Sequence, residues 1–179
     1  MQIQQLYDEY KNMVFNLALQ YVQNTEDAEE ITQDVFVKIH FSKDNFKNQS
    51  AWRTWIYRIT INQSLDFLKA KKTQKRFAFI TNLFHADSNE PRFQVSNFNH
   101  PGVQLEQKEA TQAIFAAINA LPEQQKNVII LAKIERLSHQ QIAEILNISI
   151  SALESLLSRA KANITKSLST PKANLKNIV

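Results

Sequence analysis

The amino-acid sequence predicts an all-α protein: two helical domains joined by a flexible linker, the C-terminal one a helix-turn-helix. Three observations carry this. Apolar residues make up 44% of the chain, and through most of it they recur at three- and four-residue steps, the period of a helix with one buried face. Glycine is almost absent, Gly102 being the only one in 179 residues. Tight hairpin turns and phosphate-cradling loops are hard to build without it, which disfavours all-β, Rossmann and P-loop designs. The periodicity then fades between Lys75 and about Val103, where Pro91, Pro101, Gly102 and many Asn and Ser residues fall. The expected organisation is a first domain over residues 1–74, a linker over 75–104, a second domain over 105–170 and a tail over 171–179.

The first helix is expected from Ile3 to Val22, with an apolar stripe of Leu6, Tyr10, Met13, Leu17 and Tyr21. Asn24 and Thr25 punctuate it. Thr25 is a suitable cap for the second helix, whose opening acids Glu26, Asp27, Glu29 and Glu30 suit the positive end of a helix dipole. Ala28, Ile31, Val35, Phe36 and Ile39 form its inner face. A polar loop from Ser42 to Ser50 follows. Ser50 is a plausible cap for a third helix reaching about Lys72, with Trp52, Trp55, Ile56, Ile59, Phe67 and Leu68 on its buried side and room for a break near Asn62. Trp55 is expected in the core and Trp52 nearer the loop. The linker holds Phe77, Phe79, Ile80, Leu83, Phe84, Phe93 and Phe98, so two readings stand: a segment that docks on a partner, or a short extra helix packed on one domain.

In the second domain a helix through Ala113, Ile114, Ala117 and Ile118 ends at Leu121-Pro122. A further helix starts at Pro122 and carries Val128, Ile129, Leu131 and Ala132. Ser138 then precedes Gln141 by three, the pattern of a capping box. Ile142, Ile145 and Leu146 supply a core face, and Ala143 is small enough for a crossing helix. Asn147 sits where the chain must turn, and asparagine tolerates the left-handed conformation better than any residue but glycine. Ser149 or Ser151 caps the last helix, the latter with Glu154 as its box partner. Leu153, Leu156 or Leu157, Ala160 and Ile164 face inward, and Ser155, Ser158, Arg159 and Lys161 face outward. A short helix pair with polar and basic groups outward suits insertion into a DNA major groove, where arginine reads guanine and serine or lysine holds phosphate. A plain structural corner would give a similar pattern.

Net charge is only +4, but it is unevenly spread. Met1 to Asn45 carries eight acids against three bases, and Phe46 to Arg76 eight bases against Asp66 alone. Blocks of opposite sign suggest two surfaces, one for a basic protein and one for phosphate, or simply two solvated helix faces. There is no cysteine, and His40, His85, His100 and His139 are scattered with no carboxylate or cysteine cluster, so neither disulfides nor a metal site are expected. No nucleophile-and-base constellation emerges, and no cofactor or catalytic role is expected. The lack of a long apolar run or a signal peptide points to the cytoplasm.

Taken together, the chain resembles the bacterial sigma factors of RNA polymerase, sigma-70 family, over nearly its full length. Asp27 to Phe36 looks like the family's region two core-binding helix; the resemblance implies that Asp27, Glu29, Glu30, Gln33 and Asp34 contact core RNA polymerase. Trp52 to Asn62 is similar to the adjoining segment that opens the minus-ten element, where a base is extruded onto aromatic and amide groups. It implies promoter DNA contacts by Asn48, Gln49, Trp52, Arg58, Asn62, Lys69, Lys71 and Lys72, with Phe46 and Ser50 in the same loop. Leu121-Pro122-Glu123 and the helix-turn-helix match region four, implying minus-thirty-five contacts by Ser155, Ser158, Arg159 and Lys161. The chain departs from the pattern at Glu154 and Leu156, where many relatives are basic. Its short length points to the extracytoplasmic-function group, for which a membrane-bound anti-sigma factor is an implied partner. The alternatives are a stand-alone helix-turn-helix regulator and a helical adaptor that binds only protein.

Overall fold

The structure is a computed structural model and describes residues 2–43, 46, 51–84 and 105–169. The chain divides into two compact units, Met1–Asn99 and His100–Val179. Every regular element among the described residues is helical.

In the first unit α1 (Ile3–Val22), α2 (Thr25–Ser42) and α3 (Trp52–Phe84) each pack against the other two. The α1 stripe is rotated slightly from the expected one: Val14 and Ala18 are fully buried with Leu6, Leu17 and Tyr21, and Tyr10 and Met13 lie at the margin. All five inner residues expected of α2 are buried. The turn before it works without glycine: Gln23 adopts the left-handed conformation (φ 53°) and donates its backbone N–H to the Leu19 carbonyl at 2.8 Å. Asn24, not Thr25, is the cap, its side chain accepting the Asp27 backbone N–H at 2.8 Å. Its extended backbone aims the side-chain oxygen at that amide, and Thr25 becomes the first helical residue.

α3 shows no break at Asn62 and runs 33 residues to Phe84, well past the expected end near Lys72. No proline or glycine lies between Ala51 and Phe84 to stop it. Its buried face also differs from the expected one. Ile56, Tyr57, Ile61 and Leu65 are buried along with Thr54, Thr60 and Ser64, and both tryptophans are only half-buried. The hydroxyls tolerate burial because the helix satisfies them: Thr60 Oγ1 donates to the Ile56 carbonyl and Ser64 Oγ to the Thr60 carbonyl, each at 2.8 Å. Ser50 and residues 85–104, with Phe93 and Phe98, lie outside the described residues.

The second unit holds α4 (Leu105–Asn119), α5 (Glu123–Ile129), a π-helical turn (Ile130–Ile134), α6 (His139–Leu146) and α7 (Ile150–Ser169). α5 is its axis. It packs against α4 and α7, and the π turn that continues it packs against α6. Lys126 to Leu131 are all buried in succession, as befits a helix walled in on every side. The wider turn delivers the chain through Arg136 (φ 54°) into the capping box of α6. There Ser138 Oγ accepts the Gln141 N–H at 3.3 Å, and Gln141 Oε1 accepts the Ser138 N–H at 2.9 Å. Ile142 and Ile145 are buried, and Asn147 takes the left-handed conformation (φ 53°, ψ 50°), as the sequence predicts. Ser149, rather than Ser151, caps α7 by accepting the Ala152 N–H at 3.1 Å. Leu153, Leu157 and Ala160 form the inner row of α7.

The box should be measurable. Ser138→Ala removes the hydroxyl that accepts the Gln141 N–H and keeps the backbone N–H that bonds Gln141 Oε1, so we expect α6 to lose about 1 kcal/mol of local stability. Faster amide exchange along α6 would register it, and unchanged exchange would show that packing alone holds the helix start.

Candidate nucleic-acid and partner interfaces

The acids of α2 divide into two sets. Glu26, Glu29, Glu30 and Gln33 point to solvent opposite the buried row. The same exposed side continues into Val37, 54% exposed, and Phe41, 77% exposed, with the His40 ring edge-on to Phe41. Tyr7 of α1 extends it, edge-on to Phe36 at 4.8 Å. A face with carboxylates at one end and uncovered apolar groups at the other is suited to a partner that is basic at one point and apolar at the next.

Asp27 and Asp34 are placed differently. Both sit half-buried on the α2–α3 seam. Asp27 forms an ion pair with Lys71, and Asp34 Oδ2 accepts a hydrogen bond from Gln63 Nε2 at 2.8 Å. These two contacts tie the helices together along their length. Lys71, whose ammonium also lies 5.7 Å from the Phe67 ring centroid, is thereby turned toward α2 and away from Lys69 and Lys72. Sequence reasoning grouped all five α2 residues by type. What separates them is the helical angle relative to α3, which needs the partner helix to define it.

The other side of α3 gathers Arg58, Asn62 and Lys69, spaced four and seven residues apart and so on one helical side, with Asp66 between them. Lys72 is exposed nearby. At the start of the helix Phe46 packs against both tryptophans, with ring centroids 4.1 Å from Trp52 and 5.2 Å from Trp55, and the two indoles stand nearly perpendicular at 5.5 Å. The three rings form a half-buried aromatic cluster beside the start of α3. Asn48 and Gln49 lie outside the described residues. The contribution of Phe46 to this cluster escaped sequence reasoning, which counted it only as a loop residue; its signal is an aromatic six positions before Trp52.

In the second unit Ser155, Ser158, Arg159 and Lys161 are all exposed on the outer side of α7, joined by Ser151 and Glu154. Glu154 Oε1 lies 4.0 Å from His139 Nδ1 at the start of α6. Leu156 is half-buried beside Leu157, so it serves packing. Farther along, Asn163 Nδ2 donates to Gln125 Oε1 at 2.8 Å, tying α7 to α5. The inner row of Leu153, Leu157 and Ala160 is buried, and the outer row stays open for a groove-bound ligand.

Known proteins share this arrangement. Residues 6–74 match the model for Sigma-70 region 2, and residues 111–164 match that for Sigma-70, region 4. The chain is 29% identical over 159 residues to an ECF RNA polymerase sigma-E factor of Haemophilus influenzae, covering 89% of this chain and 83% of that one. It is 26% identical to the RNA polymerase sigma-H factor of Pseudomonas aeruginosa, covering 89% and 82%. Among solved structures it resembles the sigma factor RpoE of Bartonella quintana, crystallised with the anti-sigma factor NepR (TM-score 0.61, 21% identity, 94% of this chain and 98% of that one). CnrH, solved with the cytosolic domain of CnrY, is similar to it as well (TM-score 0.62, 20% identity, 93% and 86%).

Proposed function

The chain belongs to the sigma-70 family, in its extracytoplasmic-function group, and from that premise we propose how its parts divide the work. It is a factor that binds core RNA polymerase and directs promoter-specific initiation. The first unit serves as region 2: the exposed α2 side with Glu29, Glu30 and Gln33 grips polymerase, Asp27 and Asp34 brace that side against α3, and Arg58, Asn62, Lys69 and Lys72 face the minus-ten DNA. Trp52, stacked with Phe46, serves base capture together with Asn48 and Gln49. Lys71 supports this surface from the seam. The second unit serves as region 4, with Ser155, Ser158, Arg159 and Lys161 on the minus-thirty-five element. The chain contributes binding and positioning, and the chemistry of RNA synthesis belongs to the polymerase. Its place of action is then the cytoplasm, and no helix among the described residues is long and apolar enough to cross a membrane. By likeness to the factors solved as complexes, an anti-sigma protein is a proposed partner.

The observation that carries this reading is the unspent side of α2, where three acids and an amide stand beside exposed Val37 and Phe41. An autonomous repressor has no use for such a surface. The test is reconstitution: purified core polymerase should start RNA at defined promoters only when the full chain is added. Tight binding to bare duplex with no polymerase-dependent transcript would favour the stand-alone regulator. Arg159→Ala should lower promoter use by about 1–3 kcal/mol through loss of a base contact. Transcript yield unchanged in that variant would remove Arg159 from the reading surface.

A further inference from the structure

Glu154 is the one carboxylate on a surface otherwise made of hydroxyls and cations. A negative charge there opposes binding to phosphate unless it has a job. Three jobs are open to it, and the structure narrows them.

The first is capping. Had Ser151 capped α7, Glu154 would have been its reciprocal partner three residues on. Ser149 holds that post instead, through the Ala152 N–H at 3.1 Å, so Glu154 lies inside the helix proper with no terminal amide to serve. The second is an ion pair with His139. At 4.0 Å the groups are beyond hydrogen-bond distance, and both side chains are more than half exposed, 52% for His139 and 63% for Glu154. A pair of that kind contributes little and leaves the carboxylate lone pairs open. It does bias the Glu154 side chain toward the α6 end of the surface.

The third job is reading a base. Glu154 stands one helical turn before Ser158 and next to Ser155, in the N-terminal part of α7 that a helix-turn-helix presents to base edges. An ionised carboxylate only accepts hydrogen bonds, so it suits an amino group in the major groove. Cytosine offers its N4 amino group with no acceptor on its own major-groove edge. Adenine couples its amino group to the N7 acceptor, which repels a carboxylate, and guanine and thymine present acceptors alone.

We propose that Glu154 is a specificity-determining residue, accepting a hydrogen bond from the N4 amino group of one cytosine in the upstream promoter element, with His139 positioning its carboxylate. The assignment rests on the region 4 reading given above and deepens it. Glutamate here turns a position that a cation would use for guanine into one that rejects guanine.

The test uses the full chain assembled with core polymerase and transcribing a template pool randomised across the upstream element. Wild type should prefer cytosine at one position by about five- to tenfold. Glu154→Ala should flatten that preference and leave the other positions intact, and Glu154→Gln should move it toward adenine, whose N6 and N7 suit an amide. Glu154→Lys should move it toward guanine. His139→Ala should weaken the cytosine preference without abolishing initiation. Overall transcript yield that changes with no altered base preference would overturn the assignment, because a packing role predicts that result. So would preferences identical to wild type in all three Glu154 variants. No transcript from wild type on any template would instead overturn the initiation reading, and this assignment with it.

Discussion

Exchanging Glu29 and Glu30 together for lysine should abolish co-elution of the chain with core RNA polymerase, weakening the complex on the order of 100-fold, as expected when attraction across an interface becomes like-charge juxtaposition. Both side chains are exposed on α2, away from its buried row. The fold should therefore survive, and the reversed side chains should cost no more than a few tenths of a kcal/mol through the helix dipole. Tryptophan fluorescence provides the control, since Trp52 and Trp55 both sit at the start of α3 and report on this unit. Asp34→Lys is a less informative change. It severs the bond from Gln63 and places an ammonium in a half-buried seam, so weakened binding would be mixed with a damaged unit. Normal polymerase binding by the double variant, with an intact fold, would move the grip off α2. The wild-type complex should also loosen as salt rises, in proportion to how much of the grip is ionic.

Replacing Lys126 with methionine should remove a pH-dependent burial penalty from the second unit, on the order of 3 kcal/mol near neutral pH before the interaction that Lys126 makes is subtracted. Lys126 is 6% exposed in the middle of α5, and burial lowers its pKa from 10.5 to about 8. The folded state thus releases the proton more readily than the unfolded state. Below about pH 8 both states are charged and the full cost of burying the ammonium is present. Between about 8 and 10.5 the unfolded chain holds the extra proton, so stability rises with pH across that window and levels off above it. The methionine variant lacks this rise. The stability difference between the two proteins should change across the window from about pH 8 to 10.5 and be constant on either side of it. Neither tryptophan reports on this unit, so the readout is amide exchange along α5. Parallel stability curves at all pH values would show that folding does not desolvate the ammonium.

Much of the architecture was legible in the residues. The inner face of α2, the capping box of Ser138 and Gln141, the left-handed turn at Asn147 and the outward set of α7 each follow from patterns a few residues long. Local rules decide such features because the relevant partners are near in sequence. The misreadings share an opposite cause. Thr54, Thr60 and Ser64 look like surface residues yet lie in the core, because the helix satisfies their hydroxyls and close packing needs their small size. Trp55 looks like core yet sits half-buried at the margin, packed against Phe46.

By itself the sequence determined that this chain is helical, where its helices begin, and which residue types its two surfaces offer, because caps, periodicity and charge act over one or two turns. Only the tertiary structure decided which of those charges are spent. Asp27 with Lys71 and Asp34 with Gln63 are consumed across α2 and α3, partners 44 and 29 residues apart, whereas Glu29, Glu30 and Glu154 keep their carboxylates toward solvent. The physical reason is that a side chain's availability depends on the angle its helix presents to its neighbours, and that angle is fixed by packing contacts between segments far apart along the chain.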